Sequence, residues 1–391
     1  MIRLLWLAMA AAFAGLSLFT VVEAPGLTGW RLAILATQFG HWLALLALTC
    51  AGGAWLAGRV RRRSERSAVR HVSIGVFLFA AVLLLVPTFR AWSLGRSAPR
   101  EMAAQFGAKD RENDDSFFHF SELFAIRSRK LAATEDAMYS RADGFELALT
   151  FFRPDRTGHA GLAPCVVLVH GGGWDSGTRN ELAGFSHWLA RAGYAVIAVD
   201  YRLAPGWTWP APREDLLAAF AWLRANAMRL GVDPGRVVLF GRSAGAQIAL
   251  RVAYGEARPF VRGVIGFYGP ADMKFAYDHG TEDDVLRSPS LLRAYLGGPP
   301  DERDAAYADA SAILRVSHDV PPTLLVHGRL DTLVWRRQSE RLAERLSEVQ
   351  ARFYFLAIPA ATHALEYNLN SPGGQLARGA VLQFLAATIG E

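Results

Sequence analysis

Ser243 has the clearest chemical signature in this sequence, because it stands between two glycines in the segment Gly241-Arg242-Ser243-Ala244-Gly245. The apolar run 237–240 before it is typical of a buried strand, and a helical pattern begins directly after it. A G-x-S-x-G segment between a strand and a helix presents the serine hydroxyl on a sharp turn. The glycines permit that turn, and the helix N-terminus favours negative charge that develops close to it. The pattern predicts a nucleophilic serine.

A second glycine cluster, His170-Gly171-Gly172-Gly173-Trp174, follows another buried-looking strand. Consecutive glycines at the end of a strand leave backbone N–H groups free to point into a site. The N–H groups of Gly171, Gly172 and Ala244 are therefore predicted to form an oxyanion hole, in which one donor is worth about 3–4 kcal/mol in the transition state. A phosphate-binding loop is the alternative, but the segment lacks the P-loop lysine and the dinucleotide-site spacing.

With these two motifs in this order, the chain resembles the hormone-sensitive-lipase-like and bacterial carboxylesterase branch of the α/β-hydrolases over residues 135–391. The segments 200–205, 210–215 and 231–237 are also similar to that family. The resemblance implies an α/β-hydrolase fold and carboxylic-ester hydrolysis through an acyl-enzyme intermediate. No cofactor is expected.

The resemblance also assigns the acid and the base of the site, since the family orders them serine, acid, histidine. Asp331 follows the predicted strand 323–327, and His363 follows the predicted strand 352–358. His363 is then expected to accept the proton of Ser243. Asp331 is expected to hold the imidazole tautomer and to stabilise the imidazolium.

Two other histidines compete with His363 for the role of the base. In the family the position of His327 is structural, and His170 shapes the glycine loop. The ten histidines of the chain show no metal-ligand spacing, so no metal is expected. Arg242 differs from the acidic residue or histidine that many relatives have beside the nucleophile. This difference leaves the expected activity intact and puts the substrate preference in doubt.

Short apolar runs alternate with helical patterns from residue 135 onward. We predict strands at 146–153, 164–170, 194–201, 236–240, 261–268, 323–327 and 352–358, with helices at 180–192, 213–230, 244–254, 336–348 and 375–388. Such alternation predicts a mostly parallel sheet with helices on both faces. Residues 135–391 would then form the catalytic domain, with 270–300 as a cap insertion.

Three long apolar runs, at 4–22, 32–57 and 72–89, precede this domain. A helix needs about 20 apolar residues to cross a bilayer, so we predict three transmembrane helices within residues 1–97, followed by a juxtamembrane segment at 98–134. A cleaved signal peptide is the alternative for the first run, but Pro25 is unfavourable after the candidate cleavage site. Core helices of a soluble protein are disfavoured because the runs contain almost no acidic residues.

Polar and aromatic residues near these runs give two smaller expectations. Gln38 and His41 lie inside the second apolar run, where helix–helix hydrogen bonds are the expected explanation. Four phenylalanines in the segment 117–126 are expected to form one face of an amphipathic helix that packs on the catalytic domain.

The positive charge of the chain is concentrated at its N-terminus. Residues 1–100 contain eleven Arg and two Glu, so the rest of this chain of net charge +6 is mildly acidic. No basic stripe with interleaved aromatic residues is present, and nucleic-acid binding is not expected. Six arginines lie in the loop 59–70, and such loops stay cytoplasmic. This predicts an extracytoplasmic catalytic domain, in the periplasm if the helices span a bacterial inner membrane.

An oxyanion hole with a serine–histidine–acid set supports transfer of an acyl group to water or to an alcohol. Trp174, Trp207 and Tyr295 are candidates for binding the substrate, which we expect to be a small-molecule, lipid or glycolipid ester, or an acylated envelope polysaccharide. An acyltransferase or a peptidase on the same scaffold remains an alternative. So does a non-catalytic membrane receptor, which the presence of His363 disfavours.

Overall fold

The computed structural model of the chain describes residues 2–60, 67–107, 116–125, 131–156, 161–181 and 183–390. Four of the arginines in the loop 59–70, at positions 61, 62, 63 and 66, lie outside the described residues. The whole of the charged stretch 109–115 also lies outside them.

Eight strands form one sheet in the order β1-β2-β4-β3-β5-β6-β7-β8. Their bounds are β1 Thr134–Ala142, β2 Phe145–Phe152, β3 Ala163–Val169, β4 Ala195–Val199, β5 Val232–Arg242, β6 Gly263–Phe267, β7 Thr323–Gly328 and β8 Phe353–Ile358. All seven predicted strands are present. The pairs β1–β2 and β2–β4 are antiparallel, and the remaining pairs are parallel. Because the carboxyl ends of parallel strands meet at one edge, the residues that follow β3, β5, β7 and β8 are brought together there.

Strand β1 is absent from the sequence prediction. It pairs only with β2, at the margin of the sheet, and most of its side chains are exposed or half-buried. Its sequence, TEDAMYSRA, therefore shows neither a continuous apolar run nor a regular alternation of apolar residues. An edge strand of this kind has no strong hydrophobic pattern to reveal it.

Eleven α-helices lie in the described part of the chain. Their bounds are α1 Ile2–Leu18, α2 Gly26–Val60, α3 Ser67–Phe106, α4 Ala183–Arg191, α5 Ala211–Leu230, α6 Ala244–Ala253, α7 Met273–His279, α8 Ser288–Leu296, α9 Pro300–Ala310, α10 Arg337–Glu348 and α11 Pro372–Ile389. The core on one face of the sheet includes residues of α5, α6 and α10. The core on the other face includes residues of α4, α11 and the C-terminal part of α3. This three-layer arrangement is the α/β-hydrolase architecture that the sequence predicted.

Helix α3 belongs to both parts of the molecule. Its N-terminal half packs with α1 and α2 in a separate cluster that includes Phe77 and Leu84. Its C-terminal half runs past residue 97 and buries Met102 and Phe106 in the sheet core, where the Phe106 ring lies 5.1 Å from that of Phe384. With 40 residues the helix is about 60 Å long, roughly twice the thickness of a bilayer's hydrocarbon core. The catalytic domain is thus continuous with an apolar helix.

Two of the three N-terminal helices are long and apolar enough to cross a membrane, over Gly26–Ala57 and Ala68–Phe106. Helix α1, with 17 residues, is shorter than the usual span. Most of the large apolar side chains that are exposed in the described chain lie on these helices and the turns beside them. Exposed apolar surface of this extent is unusual for a soluble monomer.

The segment with four phenylalanines does not form the amphipathic helix that we predicted. Among its described residues, 117–125, only Phe120–Phe124 is helical, as a short 3-10 helix. Phe118 is buried in the sheet core, whereas Phe120 and Phe124 are exposed. The Phe124 ring lies 4.9 Å from the ring of Trp42 on α2. The prediction of one shared apolar face is wrong because these rings contact two different surfaces.

Candidate active site

Ser243 occupies a sharp turn between β5, which ends at Arg242, and α6, which begins at Ala244. Its φ of 51° and ψ of −123° are strained for a residue with a side chain. The Ser243 N–H donates to the carbonyl of Phe267 at 2.9 Å, which fixes the turn on β6. Gly245 is required here because a Cβ at this position would lie 2.2 Å from the carbonyl oxygen of His170.

The glycine loop after β3 packs directly on this turn. A Cβ placed on Gly171 would lie 3.3 Å from the Cβ of Ser243. Among the described residues, none of the N–H groups of Gly171, Gly172 and Ala244 donates a hydrogen bond to another backbone group. All three donors are thus without a backbone acceptor, and Gly171 and Ala244 lie beside the serine. An oxygen that becomes negative would be stabilised by N–H groups held in this way.

Asp331 and His363 are in direct contact at the same edge of the sheet. The Nδ1 of His363 donates to Oδ2 of Asp331 at 2.7 Å. The Oδ1 of Asp331 accepts from the backbone N–H groups of Leu333 at 2.9 Å and of Val334 at 3.0 Å. Burial of the carboxyl opposes its ionisation, but the charge of His363 and the hydrogen bonds from both neighbouring imidazoles hold the pKa of Asp331 well below its usual value. The carboxylate is ionised across the physiological range.

Residues at the end of β6 contact both the imidazole and the backbone of the serine turn. The ring of Tyr268 lies 4.2 Å from the ring of His363, centroid to centroid. In the next residue, a Cβ placed on Gly269 would lie 3.1 Å from the carbonyl oxygen of Ser243. The structure thus places Ser243, Asp331 and His363 after three strands of the parallel part of the sheet, at one edge.

Of the two competing histidines, His327 has both ring nitrogens engaged and His170 has one. His327 Nε2 lies 2.9 Å from the carbonyl of Val334 and 3.1 Å from Asp331 Oδ2, and its Nδ1 accepts from the hydroxyl of Ser339 at 2.8 Å. His170 Nδ1 donates to the carbonyl of Gly171 at 2.8 Å. These contacts suit structural roles in the loops beside the site.

Arg242 belongs to a buried ionic network that the sequence did not reveal. Its guanidinium donates to Glu366 at 3.3 Å and to Glu181 at 2.9 Å. Glu366 is fully buried, and it also accepts a short hydrogen bond from the hydroxyl of Tyr268. Because Tyr268 packs on His363, the residue beside the nucleophile is linked to the loop that carries the imidazole.

We expect the Arg242→Met variant to lose about 3–5 kcal/mol in free energy of unfolding, because Glu366 would keep a buried charge without its cation. Urea unfolding of the detergent-solubilised protein, followed by tryptophan fluorescence, measures this loss. The control is Arg345→Met, since Arg345 and Glu348 form an exposed pair worth about 1 kcal/mol or less. Equal midpoints for the two variants would contradict the importance of this buried network.

A cavity of about 280 Å³ lies beside Asp331. It is lined by Trp174, by the segment from Asp331 to Trp335, and by Phe275, Leu291 and Leu292 from helices α7 and α8. These two helices lie within 270–300, the segment predicted to form a cap. Ser243 and His363 do not line the cavity, which adjoins the site on the side of Asp331. Glu23, from the turn between α1 and α2, also lines it.

The three aromatic candidates for substrate binding are placed differently. Trp174 lines the cavity and stacks on Tyr295 with a centroid distance of 4.5 Å. Tyr295 is fully buried, and its hydroxyl donates to Gln247 at 2.9 Å. Trp207 packs on Phe145 and does not line the cavity. A role of these residues in binding the substrate stays a prediction.

The polar residues of α2 contact the catalytic domain. Gln38 bonds to the backbone of Ala364 and Asn368, and the Nε2 of His41 donates to the carbonyl of Leu123 at 3.0 Å. The prediction of helix–helix hydrogen bonds was therefore wrong. The partner of Gln38 lies 326 residues away in the sequence, too far for any pattern to reveal. Within the described residues, no group of three or more His, Cys, Asp or Glu side chains could hold a metal ion.

The middle of the chain, including the serine turn, matches a known protein family. A family model described as BD-FAE matches residues 149–346, slightly more than half of the chain. The chain belongs to the BD-FAE family. The match includes Ser243 and Asp331 and ends before His363. Together with the relatives described next, it places this BD-FAE protein in the hormone-sensitive-lipase-like branch of the α/β-hydrolases, as the motifs predicted.

Curated relatives of this BD-FAE protein include two from Mycobacterium tuberculosis. The probable carboxylic ester hydrolase LipM is 30% identical over 265 residues, which cover 63% of this chain and 59% of the relative. The esterase LipC is 30% identical over 219 residues, which cover 52% of this chain and 53% of the relative. The chain thus spans less than two thirds of the length of either relative.

Solved structures show the same fold. The bacterial heroin esterase superposes with a TM-score of 0.56 at 25% identity, covering 76% of this BD-FAE chain and 91% of the other. An esterase from Pyrobaculum calidifontis superposes with a TM-score of 0.56 at 22% identity, covering 76% and 92% of the two chains. The second likeness, at this identity, is one of fold alone.

Proposed function

We propose that this chain is a membrane-anchored serine carboxylic-ester hydrolase. The observation that carries the proposal is the 2.7 Å hydrogen bond between His363 and Asp331, at the sheet edge where Ser243 occupies a strained turn. A serine, an imidazole that can take its proton, and a buried carboxylate that holds the imidazole form the general arrangement for nucleophilic acyl transfer. The esterase names of the curated relatives support the same chemistry.

The first half of the reaction forms an acyl-enzyme. Nε2 of His363 takes the proton of the Ser243 hydroxyl as the serine oxygen attacks the ester carbonyl. Asp331 accepts a hydrogen bond from the Nδ1–H of the same ring. This bond fixes the tautomer and stabilises the imidazolium. When the tetrahedral intermediate collapses, the C–O bond to the alcohol breaks, and His363 gives its proton to the leaving oxygen.

The second half of the reaction uses water in place of the serine. His363 takes a proton from water, the water oxygen attacks the acyl carbon, and the proton returns to Ser243 as the acid leaves. In both halves the carbonyl oxygen becomes negative beside the free N–H groups of Gly171, Gly172 and Ala244. Each of these donors would lower the barrier by about 3–4 kcal/mol.

In this proposal the acyl group occupies the cavity beside Asp331, which adjoins the site but is not lined by Ser243 or His363. Its volume of about 280 Å³ is at the small end of ligand pockets, and its walls include Trp174, Phe275 and Leu291. The site also lies close to apolar helices, because Glu23 from the turn between α1 and α2 lines the same cavity. A short-chain ester on a membrane-proximal lipid, glycolipid or polysaccharide fits both features.

The helices α1, α2 and α3 serve in this proposal as three membrane spans. Both α2 and α3 have the length and composition for this role. The turn between α1 and α2 lies at the same end of the bundle as the catalytic domain, since Glu23 reaches the cavity. Arg59 and Arg70 are described in the structure and lie at the opposite end of the bundle. Their positive charges are consistent with a cytoplasmic loop there. The catalytic domain would then face the periplasm.

A panel of p-nitrophenyl esters tests the proposed activity. We expect purified full-length protein to hydrolyse the acetate and butyrate esters at least roughly tenfold more efficiently in kcat/KM than the palmitate ester, because the cavity is small. Peptide p-nitroanilides and alcohol acceptors are assayed in parallel. Absence of ester turnover would refute the hydrolase assignment, and preferred cleavage of amides or transfer to alcohols would establish one of the alternative activities.

A further inference from the structure

Gln38 on α2 contacts the loop that carries His363 with both ends of its amide. Nε2 donates to the carbonyl of Ala364 at 2.8 Å, and Oε1 accepts from the N–H of Asn368 at 2.8 Å. The side chain of Gln38 is 3% exposed. Ala364 is the residue directly after His363, so these bonds act on the backbone adjacent to the imidazole.

The loop needs this support because its backbone conformation is unfavourable. Ala360 and Ala364, on either side of His363, have positive φ values of 52° and 59°. Alanine adopts such a conformation only where its surroundings impose it. The loop between β8 and α11 also contains few repeating backbone hydrogen bonds of its own. Within the loop the carbonyl of Ala364 accepts from the N–H of Tyr367 at 3.1 Å, and Gln38 adds a second donor to this carbonyl and an acceptor for the N–H of Asn368.

The catalytic domain holds the same loop through a second contact. Glu366 lies between Ala364 and Asn368 in the chain, and it pairs with Arg242 and Tyr268 of the catalytic domain. The five residues 364–368 are thus held by the sheet through one side chain and by α2 through two backbone groups. Other bonds to this segment come from within the catalytic domain, such as the one from the N–H of Ser371 to the carbonyl of Asn368 at 3.0 Å, whereas the two bonds of Gln38 come from outside it.

Other bonds between α2 and the domain do not reach this loop. The His41 Nε2 bonds to the carbonyl of Leu123, in the 3-10 helix Phe120–Phe124. His41 is 2% exposed, so it is buried as deeply as Gln38. It therefore provides a matched contact that docks the helix on the domain without touching the loop of His363.

We propose that Gln38 is a positioning residue for His363, so that helix α2 belongs to the catalytic unit as well as to the anchor. This inference rests on the proposed function, in which His363 is the base. Displacement of the imidazole by about 1 Å can lower a catalytic rate about a hundredfold. A residue that fixes the loop will therefore affect kcat while leaving substrate binding largely unchanged.

The test uses full-length protein in lipid nanodiscs with p-nitrophenyl acetate as substrate. Gln38→Met keeps the length of the side chain and removes both hydrogen bonds, whereas Gln38→Glu keeps the acceptor for Asn368. We expect Gln38→Met to lower kcat about ten- to a hundredfold with KM within about twofold of wild type. Gln38→Glu recovers part of the loss, and His41→Leu retains the wild-type kcat.

Hydrogen exchange measured by mass spectrometry gives a readout that does not depend on turnover. The segment 364–368 is expected to exchange faster in Gln38→Met and at the wild-type rate in His41→Leu. Unchanged kcat or unchanged exchange in Gln38→Met overturns the inference, as does an equal loss of kcat in His41→Leu. If wild type and Ser243→Ala hydrolyse the ester equally slowly, the proposed function fails instead, and with it the assignment of His363 that the inference needs.

Discussion

The Ser243→Ala variant is expected to lose at least about 10⁵-fold in kcat for p-nitrophenyl acetate, because no other group on the strained turn can form the acyl-enzyme. Ser243 is half-buried, and alanine adds no atom to the turn, so the variant should fold as the wild type does. Residual hydrolysis then reflects only the oxyanion-hole donors and binding. Initial rates at saturating ester measure the loss.

Ser317→Ala is the matched control for this experiment. Ser317 is a serine outside the site whose hydroxyl donates to Asp319 in an exposed loop. We expect its kcat to equal that of the wild type. A Ser243→Ala protein that retained more than about a hundredth of the wild-type kcat would show that another residue is the nucleophile.

Asp331→Asn is expected to lower kcat about 10⁴-fold with little change in KM. The amide can donate a hydrogen bond to Nδ1 of His363, which would favour the tautomer whose Nε2 carries the proton and cannot accept one from Ser243. The wild-type carboxylate accepts from His363 at 2.7 Å and keeps the opposite tautomer. The ratio of kcat values for the two proteins gives the effect.

The control for this variant is Asp319→Asn, which changes an exposed carboxylate paired with Arg258 at 2.8 Å. Its kcat should match the wild type. Because Asp331 also lies 3.1 Å from His327, the unfolding midpoint of Asp331→Asn is measured as well. A tenfold or smaller loss of kcat in a folded Asp331→Asn protein would contradict the role of Asp331 as the partner of the base.

The parts of the fold that the sequence predicted are those with a strong local pattern. Strands such as β3 and β4 are buried on both faces, so they read as continuous apolar runs. The turn at Ser243 has glycines fixed by steric contact, and its motif was recognisable for that reason. By contrast, β1 is an exposed edge strand and left no such pattern.

The contacts around His363 could not be predicted because they join distant segments. Glu366 and Arg242 are 124 residues apart, and Gln38 and Ala364 are 326 residues apart. In the sequence, Gln38 is one of several polar residues in an apolar run, and Glu366 is an ordinary charged residue in a loop. Their partners are set by how the sheet and the helices pack in three dimensions.

The same limit applies to α3. The sequence predicted an apolar membrane run at 72–89, within a transmembrane region that ends at residue 97. The helix instead continues to Phe106, where its apolar residues complete one layer of the catalytic domain. Composition alone does not distinguish apolar residues that face lipid from those that face a sheet.

Covalent labelling with a fluorophosphonate, followed by mass spectrometry of the peptide that contains Ser243, tests directly whether this serine is the nucleophile. The reagent phosphonylates a serine only where a base and an oxyanion hole act on it together. We expect one adduct, on Ser243, that is absent in Ser243→Ala and strongly slowed in Asp331→Asn. An adduct on another serine, or equal labelling of wild type and Ser243→Ala, would contradict this role of Ser243.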